Sequence, residues 1–98
     1  MWVGALELDL LLGDVRSLKQ KRSVVRPIIA ELQRRLAVSA AEVGHLDKHR
    51  RTALGAAVVA ADRRHVVQVL DAVERLVARR PEVELLSTRR SVRRGSDD

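Results

Sequence analysis

The sequence predicts a single α+β domain of 98 residues, in which four strands and two helices follow each other in the order β-α-β-β-α-β. Two segments repeat apolar residues at helical spacing, and the segments around them alternate apolar and polar residues or are short apolar runs. Because each helix has one apolar stripe, we expect both helices on one face of an antiparallel four-stranded sheet, as a two-layer sandwich.

The first half predicts a strand and then a helix. Residues 2–12 alternate, which predicts a half-buried strand. The next helix opens at Ser17, which forms a capping box with Gln20: each side chain is expected to bond the other residue's backbone N–H. An apolar stripe continues to Leu36. Pro27, inside the stripe, predicts a kink or a regular helix that starts near Ser23.

The second half repeats this order. Residues 37–46 alternate weakly, and residues 51–61 are apolar on both faces, as in a central strand. Asp62 is a suitable N-cap for a helix that Pro81 ends. Residues 82–88 alternate again. Right-handed crossovers then favour the ferredoxin-like arrangement, with strands 1 and 3 central. We expect one domain over residues 1–88 and a basic, polar, frayed tail over residues 89–98.

The charge is positive and uneven. The net charge is +6, and residues 15–35 alone combine seven basic residues with one acidic residue. Such a concentration attracts nucleic acid or anionic surfaces. Sixteen of the 19 basic residues are Arg, however, and a GC-rich genome would also produce that bias. The charge alone leaves both interpretations open.

The sequence lacks the motifs of several functional classes. The sequence has no Cys, which excludes disulfides, thiolate nucleophiles and Cys-based zinc sites and suits a reducing cytoplasm. No apolar run approaches the ~18 residues of a membrane helix, and the first twelve residues make a poor signal peptide. No nucleophile elbow, P-loop or dinucleotide fingerprint is present. We therefore expect a cytoplasmic protein that is not an enzyme and has no cofactor.

Three segments resemble the bacterial YlxP-like family, a domain of unknown function. They are residues 3–8 (VGALEL), 17–23 (SLKQKRS) and 81–86 (PEVELL), and the second is the most specific. The resemblance covers about residues 1–88. It implies a ferredoxin-like fold and a bacterial cytoplasmic protein whose gene often lies among genes for translation initiation and ribosome maturation. The family has no established activity, so the resemblance implies no catalytic residue.

The first helix carries the candidate RNA-binding residues. Lys19, Arg22 and Arg26 share one side of it, and we expect Lys21 elsewhere on its solvent side; such cations pair with phosphates. A solvated helix face is the alternative. Base stacking on the sheet is not expected, because the central strands offer no outward aromatic residue. The tail adds Arg89, Arg90, Arg93 and Arg94, as a phosphate clamp or a solubilising end.

The outer face of the sheet is a second candidate surface. It carries small apolar residues, and we expect Val3, Ala5, Ala57 and Val59 to form a homodimer interface there, with Ala53 and Gly55 beside them. Our interpretation is a binding protein of bacterial translation or ribosome assembly that contacts RNA or a ribosomal subunit. The alternative is a structural or protein-interaction module that acts as a homodimer through its sheet face or edge.

Two further clusters are weaker candidates. His45, Asp47 and His49 recur at every second residue, as zinc ligands on a strand would, but they fall where the chain should reverse and lack a fourth ligand. Glu7 and Asp9 share a strand face, but acid–base catalysis needs a cleft and divergent pKa values. We expect neither a metal site nor a catalytic site.

Overall fold

A computed structural model describes residues 1–95 and has the predicted order of elements. The elements are β1 (Trp2–Leu12), α1 (Leu18–Leu36), β2 (Ser39–Gly44), β3 (Arg51–Ala60), α2 (Arg63–Ala78) and β4 (Val83–Arg94). The sheet has the order β2-β3-β1-β4, and every neighbouring pair is antiparallel. The prediction of an α+β, ferredoxin-like sandwich with β1 and β3 central is confirmed. No helix within residues 1–95 is long and apolar enough to cross a membrane.

The core lies between the sheet and the helix layer. Alternate β1 side chains from Leu6 to Leu12 are fully buried and pack with the apolar stripes of both helices. At Gly4 the close approach of α2 leaves no room for a side chain, because an added Cβ would overlap Cγ1 of Val66 and lie 3.0 Å from Cδ1 of Leu70. The alternating strand pattern therefore fixes which face of β1 receives the helices.

The helix ends follow the sequence signals with one difference. Ser17 accepts a hydrogen bond from the backbone N–H of Gln20, and Asp62 accepts one from His65. The Gln20 side chain accepts from the backbone N–H of Arg16 at 2.7 Å, one residue before the position that a capping box requires. α1 starts at Leu18, not near Ser23, and continues through Pro27 as one helix. It ends at Leu36, and the next residue, Ala37, adopts the left-handed conformation with φ 52°.

The fourth strand extends beyond its predicted end. Residues 89–94, which we expected in a frayed tail, continue β4 and pair with β1 as far as Trp2 opposite Arg94. Residues 96–98 of that tail lie outside the described residues. An edge strand needs backbone pairing on one side only, and charged side chains shield its open side, so polar composition does not prevent a strand here.

Candidate functional site

Three of the four candidate RNA-binding residues form a row on α1. Lys19, Arg22 and Arg26 are exposed, and Gln33 continues their spacing along the helix. Gln33 donates a hydrogen bond to the backbone oxygen of Ala40 in β2, at 3.2 Å. The row therefore lies on the side of α1 above the β2 edge of the sheet. We call Lys19, Arg22 and Arg26 the basic flank.

The cations of the basic flank have no carboxylate partner among residues 1–95. Six other basic side chains of the described chain do have one, among them Arg35 and Arg80 with Glu31, Arg51 with Asp9, and Arg90 with Asp71. The basic flank therefore presents three positive charges that remain available to a ligand from solvent.

Lys21, the fourth candidate, is buried, and its prediction as a solvent-side RNA contact is wrong. It is 2% exposed, and its Nζ lies 2.8 Å from Oε2 of Glu42 in β2. The same nitrogen donates to the backbone oxygens of His45, at 2.6 Å, and Lys48, at 2.7 Å. Thr52 of β3 donates its hydroxyl to the same Glu42 oxygen at 2.6 Å. A buried charge needs such partners, and here they are complete.

The sequence contained the signal for this burial. Lys21 has the spacing of the apolar stripe, since Val25, Ile28 and Leu32 follow it at four, seven and eleven residues. Because lysine is charged, Lys21 was not counted among the residues of that apolar stripe. The lysine holds the loop between β2 and β3 against the first turns of α1. It thereby places Lys48, whose side chain is exposed, at the end of the molecule that carries Lys19 and Arg22.

The four residues of the predicted dimer interface come together on the outer face. Val3 is directly opposite Val59, and Ala5 is opposite Ala57, in the two central strands. Val59 is 61% exposed, both alanines are exposed, and Val3 is half-buried. The sheet itself therefore presents a continuous patch of small apolar side chains to solvent.

A shallow groove of about 450 Å³ crosses this face beside the patch. Its lining includes Ala5 and Ala57 from the central strands, Val43 from β2 and Arg89 from β4. Val43 leans over Gly55, where an added Cβ would lie 3.0 Å from its Cγ1. The outer face therefore combines a concave apolar surface with charged side chains of both signs, Glu7 and Arg89, in the lining of the groove.

A polar cluster at the other end of the outer face was not predicted. Asp9 of β1 pairs with Arg51 of β3, Oδ2 to Nη2 at 2.7 Å, and its Oδ1 lies 3.4 Å from Nε2 of His45. The hydrogen bond from Arg51 holds the pKa of Asp9 below its ordinary value, with further contributions from the charges of Arg51 and His45. Asp9 is therefore the ionised partner of an ion pair, whereas Glu7 is exposed nearer the groove. The two carboxylates therefore have different surroundings, one in an ion pair and one exposed.

The candidate metal ligands separate in the structure. His45 turns back to Asp9 and Arg51, while Asp47 and His49 are exposed in the loop between β2 and β3. No group of three or more His, Asp or Glu side chains that could hold a metal ion is found within residues 1–95.

The four arginines of the predicted tail have different surroundings in β4. Arg90 pairs with Asp71 at 2.8 Å and Glu74 at 3.6 Å, both in α2. Arg94 lies over the Trp2 ring, 5.7 Å from its centroid. Arg89 and Arg93 are exposed on the strand. Two of the four side chains thus join β4 to its neighbours and do not form a flexible phosphate clamp.

Comparison with known proteins identifies the family of this chain. Residues 3–90 match the family described as "Protein of unknown function (DUF503)". The chain is 33% identical over 87 residues to "Uncharacterized protein YlxP" of Bacillus subtilis (strain 168), an alignment that covers 89% of this chain and 95% of that protein. Both matches agree with the three segments that resemble YlxP-like proteins. The chain therefore belongs to the DUF503 family of YlxP-like proteins.

Proposed function

We propose that this protein binds RNA without catalysis, through the basic flank of α1, in bacterial translation or ribosome assembly. The observation that supports the proposal is the exposed row of Lys19, Arg22 and Arg26, which have no carboxylate partner among the described residues. Three cations along one side of a helix can contact successive phosphates of a nucleic-acid backbone. The resemblance to a family whose genes often accompany translation genes favours RNA over other polyanions.

The outer face of the sheet is not suited to base stacking. The chain has one aromatic residue, Trp2, which lies in β1 beneath Arg94. Proteins that read single-stranded RNA on a sheet stack bases on aromatic side chains. Recognition through the basic flank would therefore depend on phosphate position and helix shape more than on base identity.

The test measures binding to a short RNA duplex by fluorescence anisotropy at several salt concentrations. Each phosphate contact contributes a log–log salt slope of roughly −0.9. A variant with Gln at Lys19, Arg22 and Arg26 should therefore flatten the slope by about 2 to 3 units and weaken unrelated RNAs alike. Gln favours helices, so the fold should be kept.

A charge-matched variant is the control. Replacing Arg63, Arg64 and Arg93 by Gln also removes three exposed cations, but none of them lies on the basic flank. We expect a clearly smaller change in slope and affinity. Equal losses in the two variants would show that RNA is attracted by the net charge alone and would contradict the proposal. Ribosomal subunits should also co-purify with the tagged wild-type protein and not with the basic-flank variant.

The outer face supports a second candidate function, homodimerisation. Val59 is 61% exposed and Val43 is 50% exposed. Exposed apolar side chains that form a patch on a sheet face are typical of an interface. Changing Val59 to Lys would place a charge in the interface at a cost of several kcal/mol, and light scattering should then show a monomer. Apolar association does not weaken with salt as phosphate binding does, which separates the two functions. A wild-type monomer at high micromolar concentration would exclude this candidate.

A further inference from the structure

A cleft between the two helices lies on the opposite side of α1 from the basic flank. Its volume is about 360 Å³, near the lower end of the roughly 300–1,000 Å³ typical of small-ligand sites. Arg35 comes from α1, Arg75 from α2, and Arg79 and Arg80 from the residues directly after α2. We call these four residues and the space between them the arginine cleft.

One carboxylate, that of Glu31, lines the arginine cleft. Its Oε2 binds Nη1 of Arg35 at 3.1 Å, and its Oε1 binds Nη2 of Arg80 at 2.8 Å. The hydrogen bond from Arg35, followed by that from Arg80, lowers the pKa of Glu31, which therefore stays ionised at neutral pH. Both of its oxygens are engaged, so Glu31 orients two guanidinium groups and leaves Arg75 and Arg79 to other partners.

Positive charge in the cleft exceeds negative charge. Arg75 and Arg79 are one turn apart, and neither forms an ion pair with a residue of the described chain. Like charges at that spacing repel each other. The cleft has four arginines and one carboxylate, that of Glu31. The carboxyl end of each helix contributes about half a negative charge, so a net charge of roughly two positive units remains in the cleft. About one remains when Glu82, which pairs with Arg80 at 3.2 Å, is counted as well.

The rest of the lining is apolar. Leu36 of α1 and Ala72 and Leu76 of α2 are half-buried beneath the arginines. Guanidinium groups match the paired oxygens of a phosphate or carboxylate and are less strongly hydrated than ammonium groups. A ligand that satisfies both parts of the cleft carries a compact dianion attached to a small apolar or planar body.

We propose that the arginine cleft binds a phosphate monoester, with the phosphoryl group on Arg75 and Arg79 and the organic group on Leu36 and Leu76. This site is separate from the RNA surface proposed above. The phosphoryl group can belong to a small molecule or to the 5′ end of an RNA strand, and the experiment distinguishes these sources.

The experiment follows ¹H–¹⁵N chemical shifts of the full chain during titration with phenyl phosphate at constant ionic strength. Saturable shifts should be concentrated in residues 31–36 and 72–80. The R75Q/R79Q variant should bind at least tenfold more weakly, since two charge-assisted contacts are lost. R63Q/R64Q is the matched control, because it removes two exposed arginines from the other end of α2. Its affinity should stay within about twofold of that of the wild type.

Two further titrations determine the chemical class of the ligand. Inorganic phosphate should bind more weakly than phenyl phosphate, because it makes no use of Leu36 and Leu76. A 5′-phosphorylated trinucleotide that shifts the cleft residues more strongly than its 5′-hydroxyl form would assign the site to RNA ends, whereas no difference would assign it to small molecules. The basic-flank variant should still bind phenyl phosphate, which keeps this test independent of the proposed function. Absence of saturation at ~10 mM, or equal weakening in both double variants, would overturn the proposal.

Discussion

The buried lysine gives the sharpest test of how this fold is held together. In Lys21→Met the side chain keeps its length and its place in the apolar stripe but loses its charge and three hydrogen-bond donors. Glu42 would retain one partner, the Thr52 hydroxyl at 2.6 Å. The backbone oxygen of Lys48 would lose the donor at 2.7 Å, while that of His45 would keep a bond from the Lys48 N–H.

The contacts indicate the size of the effect. Removing one partner of a buried ion pair typically costs about 3–5 kcal/mol, because the other charge remains buried without compensation. The Glu42 side chain is 22% exposed, so water can replace part of what it loses. We therefore expect the lower end, a free energy of unfolding reduced by about 3 kcal/mol. For a domain of this size that corresponds to a fall in Tm of roughly 12–24 °C.

The measurement is urea unfolding at pH 7, followed by circular dichroism at 222 nm. Lys19→Met is the control, because it makes the same substitution at an exposed position of the same helix and should change stability by no more than about 0.5 kcal/mol. Adding Glu42→Gln to Lys21→Met should restore about 1–2 kcal/mol by removing the unpaired charge. A loss below about 1 kcal/mol for Lys21→Met, or no recovery in the double variant, would refute this account of the buried pair.

Three more predictions concern other parts of the fold. Gly4→Ala should lower the free energy of unfolding by about 1–3 kcal/mol, because the methyl group overlaps Val66, and adding Val66→Ala should recover part of that loss in urea unfolding. Ala37→Gly should raise Tm, with a gain of about 0.5–1 kcal/mol, because glycine adopts the left-handed helix end without a Cβ clash; an unchanged or lower Tm would contradict this. The lowered pKa of Asp9 stabilises the fold above the ordinary value of 3.8, and this contribution is lost as the pH falls through the lowered pKa. Asp9→Asn should therefore lower the free energy of unfolding at pH 7 and make it depend less on pH in acid. Acid-unfolding profiles that are parallel for Asp9→Asn and the wild type would contradict a stabilising role of the Asp9–Arg51 ion pair.

The sequence predicted the parts of the fold that depend on local periodicity. Alternation in β1 identified its buried face, and the two-sided apolar pattern of residues 51–61 identified a central strand, observed as Arg51–Ala60. The end of β4 was missed because its pairing with β1 uses backbone groups, which leave no pattern in an exposed arginine-rich segment. The composition of a segment indicates whether its side chains are buried, but it does not indicate whether its backbone N–H and C=O groups pair with another strand.

The polar clusters show a different limit. Arg51 meets Asp9 because β1 and β3 pair in one register, and no short turn fixes that register when about 40 residues separate the strands. The burial of Lys21, by contrast, could be predicted from its position in the apolar stripe of α1. What the stripe could not show is the set of oxygen atoms around its Nζ, since they come from β2 and the following loop.

The position of β1 in the middle of the sheet affects how the chain must be made. β1 is synthesised first, yet its neighbours end at residues 60 and 94. At roughly 5–20 residues per second, about 4–16 s pass between the completion of β1 and that of β4, so the growing chain holds its most apolar strand without one of its two partners for that time. A product truncated before Val83 would keep that strand edge open, with Leu8 and Leu10 beside it, and unpaired apolar strand edges recruit further chains. Incomplete chains should therefore aggregate.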